Sequence, residues 1–299
     1  MTPRQRDEHE QLGAHVSTQG GVHTAPERGI RIGATAIQVF TKTPNQWREP
    51  EIAESVAREF RNRLADSDIR AVVSHDSYLI NLATPDATLS RRSTASFTAE
   101  LRRCLSLGIG AVVSHPGNYI DAREPGLVRN ARNYTSCLRD VPTVRLLIEA
   151  TAGSGTALGS TFEELAELRE RIGSDVRDRV GFCVDTCHLF SAGFNLAREY
   201  DEVWRRWDAV IGLQHLHCMH LNDSKTPFNS RRDRHELLAE GSLGAEPFRR
   251  IMRDPRFAGI PKIIETPKGD DLVTNDRRML RRLRAYARGA NRFATPASE

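Results

Sequence analysis

Short apolar segments recur along the whole chain, and a longer stretch with helical signals separates each segment from the next. Short apolar runs of this length are typical of buried parallel strands. Strands are expected at eight places, residues 13–16, 36–40, 70–74, 110–114, 144–148, 180–184, 218–221 and 262–264.

The intervals between these strands carry helix boundaries. Gly108 ends one helix, and Thr161 with Glu163 and Glu164 begins another. Helices are expected at residues 22–33, 52–65, 86–107, 125–139, 161–172, 204–211 and 245–253, with a last one from residue 275. This alternation predicts an α/β protein, a (β/α)8 TIM barrel. A dinucleotide-binding sheet is less well supported because no G-x-G-x-x-G motif follows a strand.

The pattern predicts a single domain with a short extension at each end. Residues 1–12 are polar and are expected to be a disordered N-terminal extension. Residues 13–274 are expected to form the barrel domain. Residues 275–299 are expected to be a basic helix and tail, in which four arginines recur at helical spacing: Arg277, Arg281, Arg284 and Arg288.

Composition refines this picture only slightly. The chain has 43 Lys and Arg against 39 Asp and Glu, and the net charge of +4 permits a polyanionic partner without requiring one. Five cysteines, an odd number, indicate reduced thiols and a cytoplasmic protein. Since no apolar run approaches about 20 residues, we expect no membrane span. The first residues lack the apolar core of a signal peptide.

Potential metal ligands follow most of the predicted strands. The pentapeptide AVVSH occurs at residues 71–75 and again at 111–115, and each copy ends in His. Because the carboxyl ends of barrel strands meet at one rim, side chains placed there should converge. Nine such side chains are expected at the rim: His75, His115, Glu149, Asp185, His188, His220, Asp233, His235 and Glu265.

A set of imidazoles and carboxylates predicts bound cations. Packed together without them, these groups would repel one another or shift their pKa values. Nitrogen and oxygen donors without thiolates suit Zn²⁺, Mn²⁺ or Fe²⁺. A catalytic zinc takes about three protein ligands, so nine ligands with one bridging carboxylate favour three metals. Taken singly, a His could be only a hydrogen-bonding residue, and Asp185 could cap the next helix. Repetition at equivalent positions favours the metal site.

Several segments resemble motifs of the endonuclease IV family of apurinic/apyrimidinic (AP) endonucleases. The resemblance runs from about residue 13 to residue 267, through GAHVSTQGG, HDSYLINLA, HPG, IEATAGSG, VDTCHLFSAGF, MHLNDSKTPFNSRRDRHELLAEG and IIETP. It implies a TIM barrel with three zinc ions that hydrolyses the phosphodiester 5′ to an abasic site, leaving a 3′-hydroxyl and a 5′-deoxyribose phosphate. The implied ligand sets are His75, His115 and Glu149; Glu149, Asp185, His220 and Glu265; and His188, Asp233 and His235. Glu149 would also be the catalytic residue.

The resemblance further implies duplex DNA as the partner, and we expect the chain to act as a monomer. Tyr78 and Leu79 resemble residues that the family inserts beside the lesion, although a rim aromatic could also serve only packing. Asn45 stands where the family commonly has Arg or Gln, so insertion through this loop is expected to be weaker or to use the adjacent Gln46. Phosphate contacts, or ordinary solvated charges, are expected at Lys42, Arg231, Arg232 and Arg234.

Two other functions stay open. A sugar isomerase or epimerase on the same kind of barrel resembles this superfamily and uses one or two divalent metals. Asp233 and His235 argue against it because they would supply ligands for a third metal. A non-catalytic lesion-binding protein is disfavoured by the complete ligand set. Metal content per chain and cleavage of a duplex with one abasic analogue distinguish these functions.

Overall fold

Eight parallel strands close into a barrel in the computed structural model, which describes residues 10–289. The strands are β1 (Leu12–His15), β2 (Ala36–Val39), β3 (Ala71–His75), β4 (Ala111–Ser114), β5 (Arg145–Glu149), β6 (Val180–Asp185), β7 (Leu216–His220) and β8 (Lys262–Ile264). Each strand pairs with the next one along the chain, and β8 pairs with β1 to close the barrel. The predicted TIM barrel is confirmed.

Helices connect the strands. They are α1 (Ala25–Ile32), α2 (Glu54–Ala65), α3 (Ala87–Leu107), α4 (Arg123–Asp140), α5 (Phe162–Arg171), α6 (Thr186–Ser191), α7 (Tyr200–Val210), α8 (Glu246–Arg253) and α9 (Thr274–Ala287). The longest, α3, begins where the Asp86 side chain accepts a hydrogen bond from Leu89 N at 2.6 Å. It ends at Gly108, whose φ of 73° allows the left-handed turn that stops a helix.

The structure differs from the sequence prediction at a few boundaries. The helix expected over residues 22–33 is a 3-10 turn (Val22–Thr24) followed by α1, because Pro26 in the first turn of α1 has no N–H to continue the preceding turn. Leu12 is fully buried at the start of β1, one residue before the predicted strand and inside the extension that was expected to be disordered. The expectations for residues 1–9 and 290–299 lie outside the described residues.

The last helix packs against the body of the barrel. Met279, Leu280 and Leu283 are fully buried on one face of α9. Two of the four arginines in the predicted basic stripe also contact the body: Arg277 Nε donates to the Arg31 carbonyl at 2.9 Å, and Arg284 pairs with Glu10 at 2.7 Å. Across residues 10–289, no helix has the length and hydropathy needed to cross a membrane.

A layer of apolar side chains fills the barrel interior. It comprises Ala36, Val73, Val113, Leu147, Cys183, Cys218 and Ile263. Side chains alternate across a strand, so the residue two positions further along each strand also points inward, one layer nearer the carboxyl end. The second layer therefore contains Gln38, His75, His115, Glu149, Asp185, His220 and Glu265. This polar layer lies above the apolar one, at the carboxyl ends of the strands.

A buried ion-pair network fixes the end of β3, directly before His75. Ser74 Oγ donates to the Glu100 carboxylate of α3. Arg103 Nη2 also pairs with Glu100 at 2.6 Å, and Arg103 Nη1 pairs with Glu49 at 2.7 Å. Both Arg103 and Glu100 are almost completely buried. Buried charges of this kind depend on one another, because neither is solvated by water.

Replacing Arg103 with Met should therefore strongly destabilise the protein. The change leaves Glu100 buried without its cation, and we expect a loss of about 3–5 kcal/mol in unfolding free energy. Arg102→Met is the matched control: Arg102 is the neighbouring residue and is exposed, so its change should be within about 0.5 kcal/mol. Urea denaturation followed by tryptophan fluorescence measures both. Equal midpoints for the two variants would contradict the role of the network.

Candidate metal centre

Glu149 lies at the centre of the barrel mouth, where it is the last residue of β5 and is fully buried. Its Oε2 lies 3.2 Å from His75 Nε2 and 2.9 Å from His115 Nε2. Its Oε1 lies 2.9 Å from His220 Nδ1 and 3.4 Å from His188 Nδ1. One carboxylate thus contacts imidazoles that reach it from the ends of four strands.

The nine side chains expected at the rim all lie in three groups. Within each group, the potential ligand atoms are within 4.8 Å of one another. The first cluster is His75, His115 and Glu149; the second is Glu149, Asp185, His220 and Glu265; the third is His188, Asp233 and His235. Glu149 belongs to both the first and the second cluster, so one of its oxygens faces each.

Asp185 combines a structural contact with a place in the second cluster. Its Oδ1 accepts a hydrogen bond from His188 N at 3.0 Å and so caps α6. Its Oδ2 faces the mouth, 4.0 Å from His220 Nδ1 and 3.4 Å from His235 Nε2. The capping interpretation and the site interpretation of this residue are compatible because they use different oxygens. The cap also helps to orient His188, which belongs to the third cluster.

The third cluster depends on a loop between β7 and β8. A two-residue ribbon in this loop pairs Ser224 with His235 and sets the position of the His235 ring. Asp233 lies 3.1 Å from both His188 Nε2 and His235 Nε2. Those two nitrogens are buried, yet neither makes a hydrogen bond of good geometry among the described residues. Buried polar atoms without partners are rare, and here they converge on one carboxylate, as ligands of a cation would.

The electrostatics of the mouth also indicate cations. Burial alone would lower the pKa of His75, but the Glu149 carboxylate outweighs it and raises the pKa to about 9. Burial likewise opposes charge on His235, yet the carboxylates, Asp185 first, raise its pKa to about 9. Against the effect of burial, the imidazoles, led by His220, hold the pKa of Glu149 well below its usual value. Without metal, these histidines carry protons that a divalent cation would replace.

The donor atoms that converge are nitrogen and oxygen. Three cysteines lie close to the clusters, Cys187 beside Asp185 and His235, and Cys183 with Cys218 beside His220. Burial raises the pKa of the Cys187 thiol to about 11 and that of Cys183 well above its usual value, whereas the contact with Cys183 lowers the pKa of the Cys218 thiol. The Cys183 and Cys187 thiols are therefore protonated and are poor ligands. Imidazole and carboxylate donors suit Zn²⁺, Mn²⁺ or Fe²⁺. The residues present thus fit divalent cations of this class.

Two fully buried amides that the sequence analysis did not identify also contact the second cluster. Gln38 lies 2.6 Å from Glu265 Oε1 and 2.7 Å from His220 Nε2. Asn222 Nδ2 donates to Asp185 Oδ2 at 2.6 Å, and Asn222 Oδ1 accepts from Glu265 N at 2.8 Å. A polar residue inside the apolar run AIQVF was the available signal for Gln38. Asn222 follows a strand end, as the predicted ligands do.

The residues expected to contact DNA differ in their placement. Tyr78 is 71% exposed beside the mouth, and its ring lies 5.2 Å from that of Phe40. Lys42 is instead buried, with its ammonium 2.9 Å from Glu49 and donating to the Gln46 carbonyl at 2.6 Å. Its charge is therefore paired with Glu49, although the residue lines the larger cleft beside the mouth. Leu79 is partly buried, and the other expected contacts are at least partly exposed: Asn45, Gln46, Arg231, Arg232 and Arg234.

The mouth opens into a cleft of about 340 Å³ lined by residues of all three clusters. A second cleft of about 680 Å³ adjoins it and shares His15, Phe40 and Lys268 with the first. Three more cations, Arg28, Arg31 and Lys42, line this larger cleft. The mouth therefore continues into an elongated surface groove.

Comparison with known proteins identifies the class of barrel and then the family. The model of the xylose isomerase-like TIM barrel family matches residues 27–283. A probable endonuclease 4 from Geotalea daltonii is 47% identical over 265 residues, which are 87% of this chain and 92% of the relative. The crystal structure of endonuclease IV from Thermus thermophilus matches with a TM-score of 0.84 and 34% identity, covering 94% of this chain and 100% of the other. The chain belongs to the endonuclease IV family, as its motifs indicated.

The same barrel also occurs in sugar-converting proteins. A D-tagatose 3-epimerase-like protein matches with a TM-score of 0.67 over 94% of this chain and 98% of its own. At 16% identity, this likeness shows a common fold only. The fold by itself does not distinguish a nuclease from a sugar epimerase.

Zn²⁺ binding should release protons from this site. His75 and His235, with pKa values of about 9 in the metal-free protein, must become neutral in order to bind a metal. Below about pH 9, protons compete with the metal for these imidazole nitrogens. The apparent affinity for Zn²⁺ should therefore rise between about pH 7 and pH 9 and then level off. Calorimetric titration in buffers of different ionisation enthalpy counts the released protons. Binding with no proton release at about pH 7 would contradict these protonation states.

Proposed function

We propose that this chain is a metal-dependent AP endonuclease of base excision repair. It hydrolyses the phosphodiester 5′ to an abasic site in duplex DNA and leaves a 3′-hydroxyl and a 5′-deoxyribose phosphate. Family membership supports the class of enzyme. The observation that carries the proposal is Glu149, shared between the first and second clusters with the third cluster beside them.

In this proposal the three clusters hold three Zn²⁺ ions, some of which Mn²⁺ or Fe²⁺ could replace. When bound, closely spaced divalent cations neutralise the phosphate, activate water and stabilise the departing oxygen. The first and second clusters share a carboxylate, which suits a pair of adjacent cations. The third cluster supplies His188, Asp233 and His235 for the remaining one.

Glu149 is the residue to which we assign the proton of the attacking water. Its carboxylate is completely buried and is held from both sides by imidazoles, so its orientation is fixed before substrate binds. A fixed acceptor at the reacting position lowers the barrier to proton transfer. The scheme requires no serine or cysteine nucleophile. The Cys183 and Cys187 thiols are protonated and lie beneath or beside the clusters.

We assign DNA recognition to the exposed rim. Arg231, Arg232 and Arg234 would contact phosphates, while Tyr78 and Leu79 would insert beside the lesion. An abasic sugar has no stacked base, so its displacement from the duplex requires less energy than that of an intact nucleotide. Selectivity then arises from deformability of the DNA rather than from base edges. The loop after β2, with Asn45 and Gln46, would lie against the gap that the displaced abasic nucleotide leaves in the duplex.

A sugar isomerase or epimerase is the weaker alternative. It would leave the third cluster without a role, although that cluster contains two buried nitrogens that face Asp233 and make no hydrogen bond of good geometry among the described residues. The proposed enzyme acts as a monomer, since one chain contains all nine side chains of the clusters. Its substrate is chromosomal DNA, and a cytoplasmic, nucleoid-associated location is part of the proposal.

Changing Glu149 to Gln should abolish most of the cleavage. The amide cannot take a proton as the carboxylate does, and we expect a rate lower by about 10²–10⁴-fold. Incision of a duplex oligonucleotide carrying a tetrahydrofuran abasic analogue measures the rate, and fluorescence anisotropy of the same duplex measures binding. Binding should remain, because the rim residues are unchanged.

Glu163→Gln is the control for this variant, since Glu163 is exposed and pairs with Arg206 on the outside of the barrel. It should cleave at the rate of the unchanged chain. Near-normal turnover by Glu149→Gln would refute the assignment of Glu149.

Changing Tyr78 to Ala should reduce the preference for abasic DNA. Stacking of an aromatic ring on a base contributes about 1–3 kcal/mol, so affinity for the abasic duplex should fall by about 5- to 150-fold. Affinity for an intact duplex should change little. Tyr78→Phe retains the ring and should behave like the unchanged chain. Equal losses for both duplexes would indicate a general contact instead of lesion recognition.

A further inference from the structure

Gln38 occupies an unusual place for a polar side chain. It lies within β2, opposite His15 of β1 and Val73 of β3, and is fully buried. Its side chain belongs to the same inward-facing layer as the clusters, two residues above Ala36. From there it reaches across the mouth to His220 of β7 and to Glu265, which follows β8.

The partners of Gln38 determine which way its amide points. Glu265 Oε1, at 2.6 Å, is a carboxylate oxygen and can only accept a hydrogen bond. The atom facing it is therefore the amide nitrogen, which also lies 2.9 Å from His15 Nδ1. The amide oxygen must then face His220 Nε2, at 2.7 Å. The opposite orientation would place two acceptors against each other at Glu265.

This orientation determines the tautomer of His220. Because Gln38 Oε1 accepts, His220 Nε2 carries the hydrogen and Nδ1 presents its lone pair once the ring is neutral. Nδ1 lies 2.9 Å from Glu149 Oε1 and 3.3 Å from Glu265 Oε2, inside the second cluster. The free nitrogen thus points to the place where these carboxylates converge.

The other histidines with a defined orienting contact behave differently. His75, His188 and His235 direct Nδ1 to backbone carbonyls of Asp76, Ala150 and Glu265, at 3.0, 2.9 and 3.4 Å. Their Nε2 atoms face the clusters. Their tautomers are therefore set by the chain path, whereas the acceptor at His220 Nε2 is a side chain, that of Gln38. A substitution at residue 38 removes this contact without altering the fold.

We propose that Gln38 is the positioning residue of the second cluster, which holds His220 with Nδ1 towards the cluster and aligns Glu265 for the same cation. This proposal rests on the proposed function insofar as the second cluster binds a metal. Gln38 touches no expected substrate atom and acts through His220 and Glu265. Contacts of this kind to metal ligands typically change metal affinity by about 10- to 100-fold.

Two variants separate the two contacts. Gln38→Met has a similar length and no hydrogen-bonding amide, so it removes both contacts. Gln38→Glu retains an acceptor for His220 Nε2 but sets a like charge against Glu265. Asn133→Leu is the control, because Asn133 is another buried amide, and it donates to the Leu82 carbonyl and to Ser90 Oγ rather than to a cluster.

Zn²⁺ alone is the probe, titrated into each metal-stripped full-length chain against a chromophoric chelator. In Gln38→Met, we expect one Zn²⁺ to bind about 10- to 100-fold more weakly while the others bind as in the unchanged chain. Nitrogen-15 NMR of the Zn²⁺-loaded proteins should show a hydrogen-bonded Nε2–H on His220 in the unchanged chain and in Gln38→Glu. In Gln38→Met, the Nε2–H signal of His220 should no longer appear at the hydrogen-bonded chemical shift. On abasic duplex, kcat should fall while KM stays unchanged.

Three results would overturn the proposal: unchanged Zn²⁺ affinities in Gln38→Met, an equal loss in Asn133→Leu, or a His220 ring protonated at Nδ1 in the loaded unchanged chain. The Zn²⁺ titration and the NMR measurement involve no DNA. An unchanged chain that binds Zn²⁺ but fails to cut abasic DNA would contradict the proposed function alone, and the comparison of variants would still decide the role of Gln38. A chain that binds no Zn²⁺ would contradict both.

Discussion

The buried carboxylate of Glu149 is the interaction on which the rest of the site depends. An ionised carboxylate in the protein interior is destabilised by several kcal/mol unless positive charge surrounds it. Here imidazole nitrogens of His75, His115, His188 and His220 lie within 3.4 Å of its two oxygens. Whether that positive charge is carried by protons or by metal ions, it must lie between these groups. The histidines at the mouth of the barrel are therefore arranged around the two carboxylate oxygens of Glu149.

Most of this arrangement could be predicted because a barrel converts strand ends into neighbours. The two AVVSH segments illustrate this: they form β3 and β4, and the last His of each reaches the same Oε2 of Glu149. Alternation along each strand places Val73 and Val113 in the apolar layer and the two histidines one layer above. A repeated pentapeptide therefore becomes a pair of equivalent positions. Local sequence therefore indicated the cluster residues at the strand ends, although it did not identify Asn222, which lies two residues after β7.

Three other features could not be predicted in the same way. Lys42 appears in the sequence as one more cation near a rim loop, yet Glu49 holds its ammonium in the interior. Gln38 was passed over because it lies within a strand, although the alternation that places His75 at the mouth also places Gln38 there. Helix α6 has six residues, too few for a helical period to be visible. The contacts of Lys42 and Gln38 become visible only in the folded structure.

The third cluster takes two of its three residues from a loop and not from the barrel strands. Asp233 and His235 belong to a loop, and loops are where barrels of one fold diverge. The loop backbone is nevertheless firmly attached: Arg231 N donates to the Ser191 carbonyl at 3.0 Å, and Ser191 Oγ donates to the Arg232 carbonyl at 2.8 Å. Residues 231–235 thus place arginine side chains on the surface and place Asp233 and His235 in the third cluster. In the proposed function, a phosphate bound by those arginines would therefore lie close to the third cluster.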